Sequence, residues 1–227
     1  LAKPLSSLSK KAKVFSMFDF NGLKLKSFRN ESHLEKSENY ESQISNLSKG
    51  VESVKQLKID PHIWLDPENA KVITERIVNI LIEFDRENTQ KYQRNGENIT
   101  NKLNELDEHL LSELRKISDR KYLVLHDAYQ YFESRYQLKN SGSITLQFSH
   151  FLGVRRLKKV QNMIKNNKVY CIFGEPHYSQ KIVDTLIKGT SIKKGILDPI
   201  GINLLPGQEL YFNLMKNLSI SLKSCLK

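Results

Sequence analysis

The sequence predicts an α/β protein, a parallel sheet flanked by helices, and two observations carry that prediction. From Lys121 onward, short apolar runs alternate with helical patterns of about ten residues, as strand–helix–strand units do. Ahead of that alternation stand two long amphipathic helical patterns, the second long enough to bridge two lobes. The length, 227 residues, suits one large domain or two small ones.

In chain order, residues 12–17 and 23–25 are short apolar or mixed runs around Asp19 and Asn21-Gly22, which read as a strand and a turn. Residues 27–58 are polar, mixed in charge and without periodicity, an exposed loop. Asp66 can cap a helix that has Pro67 at its first position, and Ala70, Ile73, Ile77, Leu81 and Phe84 follow at helical spacing, giving a helix over 67–85. Tyr92, Ile99, Leu103, Leu106, Leu110, Leu114 and Ile117 extend a second helix to about Ser118, with only Gly96 inside the pattern. Strands are then expected at 122–125, 143–146, 169–173 and 194–197, and helices at 128–136, 154–165, 179–188 and 209–222.

Ligands of open α/β sheets bind beyond the carboxyl ends of the strands, where loops converge. His126, Glu175 and Asp198 each follow a predicted strand directly, and His62 sits in the Pro-flanked turn Asp60-Pro61-His62-Ile63-Trp64-Leu65-Asp66-Pro67 just before a helix. In such a turn the backbone is fixed and the imidazole can be aimed. Imidazole nitrogen suits zinc and similar metals at about 2.0–2.1 Å, and a carboxylate can complete the sphere. His62, His126 and Asp198 are therefore the candidate metal ligands. Taken singly, each histidine has a plainer reading as a hydrogen-bonded structural residue. His109, beside Asp107 and Glu108, reads as solvated, and His150 and His177 as loop residues.

Other function classes fit poorly. The sequence contains no H-E-x-x-H, no G-x-S-x-G, no phosphate-cradling glycine loop and no nucleophile beside a base, so no enzyme is expected. The net charge of +11 is spread along the chain and interleaved with acids, and its tightest cluster, Arg155, Arg156, Lys158 and Lys159, reads as one solvated helix face. No specific nucleic-acid partner is expected. The given chain has no apolar run of about eighteen residues and no signal-peptide pattern. Cys171 lies in a buried strand and Cys225 at the end of the last helix, and spacing alone leaves two separate thiols or a disulfide equally open.

Four segments, 60–67, His126-Asp-Ala-Tyr-Gln-Tyr-Phe-Glu133, Phe173-Gly-Glu-Pro176 and Leu197-Asp-Pro-Ile-Gly201, occur in order over roughly 140 residues. Together, with Tyr92-x-x-Asn95 in the long helix, they resemble the metal-receptor family of ABC-transporter solute-binding proteins, particularly its zinc-uptake branch. The resemblance implies two lobes of parallel sheet flanked by helices and joined by a long rigid linker helix, with a divalent metal held between them. It divides the chain into 1–88, a partial N-terminal lobe with the charged loop 27–58, the linker helix 89–118, and the C-terminal α/β lobe 119–227. His62 is then supplied by the first lobe, and His126 and Asp198 by the second.

The same resemblance implies zinc as the transported ligand, a membrane ABC permease as partner, a monomer, and a periplasmic or other extracytoplasmic location. The manganese branch usually carries Glu where His126 stands, and nitrogen there favours zinc. Family members commonly join the strand before F-x-E-P to the last helix by a disulfide, which implies that Cys171 and Cys225 pair in an oxidising compartment. They also begin with a secretory signal and a strand that delivers another His ligand, and against them this chain is short by roughly a hundred residues of one lobe. Arg86 replaces a usual Pro, and the loop 27–58 offers one histidine, His33, among Glu31, Glu35, Glu38 and Glu41. The alternatives are a truncated non-functional or repurposed remnant of such a receptor, or a manganese receptor.

Overall fold

The computed structural model describes residues 12–29, 59–144, 154–166 and 168–227. Two antiparallel-packed helices precede a layered unit of alternating strands and helices. The first helix, α1 (Pro67–Phe84), starts where the sequence places it: the Asp66 carboxylate accepts the Glu68 N–H at 3.0 Å, and Pro67, which has no N–H to leave unpaired, takes the first position. A 3₁₀ turn at Arg86–Asn88 reverses the chain into α2 (Thr89–Leu114), 26 residues and so about 39 Å long. The two helices pack closely because Gly96 has no side chain: a Cβ there would lie 2.7 Å from Val78 Cγ2. Beyond α2 a 3₁₀ turn, Arg115–Ile117, occupies the end of the expected helix.

The sheet comprises β1 (Lys121–Val124), β2 (Lys139–Ser143), β3 (Cys171–Gly174) and β4 (Lys193–Ile196) in the order β2-β1-β3-β4, every pairing parallel. Its connecting helices are α3 (Gln130–Tyr136), α4 (Val154–Asn166) and α5 (Lys181–Ile187), and α6 (Leu210–Leu226) closes the chain. Alternation along β1 explains the layering. Tyr122 and Val124 enter a core shared with Leu110, Phe132, Phe173, Met215 and Leu222, whereas Leu123 and Leu125 enter a second core with Val160, Ile164, Ile172 and Val183. A sheet buried on both faces needs the near-continuous apolar strands seen at β1 and β3. A disulfide between Cys171 and Cys225 ties β3 to α6. Among the described residues no helix is long and apolar enough to cross a membrane.

Three local expectations are corrected. Residues 12–17 form no strand. Val14, Phe15 and Met17 are solvent-exposed, the chain makes a 3₁₀ turn at Met17–Asp19, and β propensity without a ladder partner is insufficient. The second strand is Lys139–Ser143, earlier than the apolar run at 143–146, because pairing with β1 through a register shift between Tyr122 and Val124 selects it. The third begins at Cys171, two residues late. Of the charged loop 27–58, residues 30–58 lie outside the described residues, as do His33 and His150. Its two described edges meet in an isolated antiparallel bridge, Ser27 with Ile59. In the described part of the N-terminal half, α1 and the start of α2 supply the helical layer, and the four-stranded sheet belongs entirely to 121–196.

Candidate metal centre

The parallel register aligns three of the strand-end residues. Val124 pairs with Phe173 and Gly174 with Ile196, so the chain runs off the carboxyl edge of the sheet at His126, Glu175 and Asp198 side by side. His62 arrives from the other direction, in the turn before α1, where it precedes a 3₁₀ turn at Ile63–Leu65. The fold brings the two histidines together: their ring centres are 5.1 Å apart, one edge toward the other's face. Two imidazoles bound through nitrogen to one tetrahedral ion, with bonds of about 2.0–2.1 Å, have their ring centres about 5 Å apart.

Each imidazole is held from behind by a buried acid. Asp60, with 0% exposure, accepts the backbone N–H of His62 at 3.0 Å and stands 2.6 Å from its Nδ1 through the same Oδ1. Glu175, with 1% exposure, places Oε1 3.2 Å from Nδ1 of His126. A carboxylate at Nδ1 fixes the tautomer with the proton there and directs the Nε2 lone pair outward, the arrangement by which metal-binding histidines are oriented. The Tyr129 hydroxyl lies within donating distance of Glu175 Oε1, 3.3 Å, and of the Leu197 carbonyl, 3.2 Å. Burial works against a charge on His126, but the hydrogen bond and negative charge of Glu175, helped by Asp127 and Asp60, outweigh it and raise the imidazole pKa above its ordinary value. Burial likewise pushes the Tyr129 phenol far up, so it remains a donor.

Asp198 plays a different part. Its Oδ1 accepts the N–H groups of Ile200 and Gly201 at 3.2 and 2.8 Å, and its Oδ2 accepts that of Ile202 at 2.7 Å. The neighbouring Pro199 carbonyl receives the Trp64 indole N–H at 2.9 Å, and the Trp64 ring sits 5.3 Å from that of His62. The loop carrying Asp198 is thereby tied to the turn carrying His62. Among the described residues, no three His, Cys, Asp or Glu side chains converge closely enough to hold an ion. The structure pairs His62 with His126 and leaves Asp198 capping its own loop. His177 is exposed, its Nε2 3.4 Å from Glu175 Oε2, and His109 is exposed on α2.

The orienting residues were less visible in the sequence. Glu175 stood out as a strand-end acid, and adjacent parallel strands ending at His126 and Glu175 signal the contact. Asp60 is signalled only by its place two residues before His62 with a rigid Pro61 between them.

A helix-flanked parallel sheet with two carboxylate-oriented imidazoles brought together beside its carboxyl edge defines the class, an α/β protein with a paired-histidine site, and solved structures share the fold. A Zn(II)-bound variant of AdcAII from Streptococcus pneumoniae superposes with a TM-score of 0.70 at 25% identity, covering 98% of this chain and 77% of that one. The AdcAII protein of the same organism gives a TM-score of 0.63 at 30% identity over 73% of this chain and 62% of that one. The model of the family described as zinc-uptake complex component A, periplasmic, matches residues 2–225, and the chain belongs to that family. Among curated relatives, the high-affinity zinc uptake system protein ZnuA of Brucella abortus (strain 2308) is 40% identical over 167 residues, 74% of this chain and 50% of the relative. That of Yersinia pestis is 31% identical over 166 residues, 73% of this chain and 52% of the relative. The chain spans about half the length of the curated relatives it matches.

Proposed function

We propose that this chain captures a zinc ion outside the cytoplasm, as the substrate-binding component of a metal-uptake ABC transporter, and passes it unchanged to a membrane permease. The observation that carries the reading is the His62–His126 pair, whose ring centres lie 5.1 Å apart with a buried carboxylate on each Nδ1. Two neutral nitrogens suit zinc better than the harder manganese ion. Asp198 is the third ligand in this proposal. Three N–H groups occupy its oxygens, and a carboxylate has about four lone-pair sites, which leaves one for a cation. The Trp64–Pro199 hydrogen bond keeps its loop beside the His62 turn. Residues 1–88 act as part of one lobe, 89–118 as the linker helix and 119–227 as the second lobe, and the protein works as a monomer in the periplasm or another extracytoplasmic space. The ion is cargo, and no residue here performs chemistry on it.

The test is competition between the chain and a chelating dye for zinc and for manganese at about pH 8, chosen above the ordinary imidazole range because the His126 pKa is raised. Because both cysteines are in a disulfide, no thiolate competes for the metal. Zinc binding that exceeds manganese binding, and that falls in His62→Ala, His126→Ala and Asp198→Asn, is expected. Equal retention of both ions, or binding indifferent to all three substitutions, would overturn the reading.

A further inference from the structure

Gln130 opens α3, four residues after His126, yet its side chain serves the other histidine. Its Nε2 donates to Asp60 Oδ2 at 2.6 Å and to the Ser27 carbonyl at 3.1 Å. Two acceptors converge on that nitrogen, so the amide can face them only with its NH₂ group. Asp60 is fully buried, and its other oxygen holds both the backbone N–H and Nδ1 of His62. The adjacent Tyr131 hydroxyl donates to the Asp60 carbonyl at 3.0 Å and accepts the Lys26 N–H at 2.9 Å. One short helix therefore secures both imidazoles: His126 through four residues of chain, and His62 through Gln130 and Asp60.

We infer that Gln130 is a positioning residue for metal capture, which fixes the Asp60 carboxylate so that His62 keeps its proton on Nδ1 and presents Nε2 toward His126. The inference rests on the zinc-binding reading for its purpose, while its structural content stands independently. Without the amide, Asp60 Oδ2 would be a buried carboxylate oxygen with no donor among the described residues, a costly arrangement that turning the carboxylate or admitting water relieves. Either response loosens the bond that selects the His62 tautomer. A ligand that must be oriented during binding holds its ion less tightly than one oriented beforehand.

Gln130→Met keeps the length and volume of the side chain and removes only the donor; Gln130→Glu keeps the shape and turns the donor into a charge facing Asp60. Long-range nitrogen–proton NMR of the metal-free chain reads the His62 tautomer, which loss of packing alone does not select. In the unaltered chain the Nδ1–H form is expected. In Gln130→Met the Nε2–H form should appear and zinc affinity should fall about tenfold, the lower end for partners behind a metal ligand, with Gln130→Glu acting in the same direction more strongly. Retention of the Nδ1–H form in both variants would overturn the inference, whatever happens to affinity. If the tautomer shifts but the unaltered chain binds no zinc, the positioning role holds and the zinc reading fails.

Discussion

Removing the Cys171–Cys225 disulfide should be the most destabilising change that leaves the metal site chemically intact. The crosslink spans 54 residues, and in the chain-entropy account closing a loop of that size removes about 4 kcal/mol of freedom from the unfolded chain. Both sulfurs are buried, Cys171 in the central strand β3 and Cys225 in α6, so a double Cys171→Ala, Cys225→Ala variant also loses packing against Phe173 and its neighbours. The loop term alone corresponds to a melting temperature lower by about 8–16 °C for a chain of this size. Urea unfolding of the oxidised protein, the reduced protein and the double variant separates the contributions. Reduction reports the crosslink, and the further loss in the variant reports packing. Because the crosslink acts on the unfolded chain, reduction should also steepen the slope against urea, as a more expanded unfolded state exposes more surface. A reduced protein within about 1 kcal/mol of the oxidised one would refute the loop argument, as would two alkylatable thiols in protein purified under oxidising conditions.

Two further outcomes follow from the geometry. His126→Ala should weaken zinc binding more than about a hundredfold while His177→Ala changes it little, because His126 is the ring that pairs with His62 whereas His177 is an exposed loop residue beside the other oxygen of Glu175, and calorimetric titration of both variants decides it. Tyr92 donates to Asp85 at 2.8 Å, and this bond, with that of Asn88, holds the Asp85 carboxyl below the usual carboxylate range. A depressed folded-state pKa gives stability that is present above the unfolded value, about 3.9, and lost as pH falls through the folded one. Tyr92→Phe should therefore be less stable than the parent at pH 7, and the gap should narrow steadily as the pH falls below the ordinary carboxylate range, as urea midpoints along an acid series will show.

How far the sequence could be read depended on where each element gets its stability. Helix α1 was legible because its cap, its N1 proline and its apolar spacing are all local, and β1 and β3 because burial on both faces demands apolar runs. The strand Lys139–Ser143 was not, since Lys-Asn-Ser-Gly-Ser has nothing of a strand except its neighbour, β1. The run at 12–17 failed the opposite way, with strand-like residues and no described partner. At the site, His62 and His126 were legible as imidazoles in rigid places. Gln130 was not, for its partner Asp60 is 70 residues away and an exposed-looking Gln at a helix start carries no local signal.

The buried acids bear on the metal-binding role proposed for the histidines. A carboxylate removed from water costs several kcal/mol unless hydrogen bonds and an opposite charge offset the loss. Asp60 and Glu175 are almost wholly buried, and each spends an oxygen on the Nδ1 of a histidine that is itself partly open to solvent. Here only Nδ1 is used: among the described residues no hydrogen bond reaches Nε2 of His62 or His126. Two such nitrogens, oriented by two buried acids on rings 5.1 Å apart, are the arrangement the zinc-capture proposal requires. The cation's charge would also offset the negative charge that both acids bring into the interior, so metal capture and the stability of this edge of the sheet should be linked. Zinc should then raise the unfolding midpoint of the chain, and His126→Ala should abolish most of that rise.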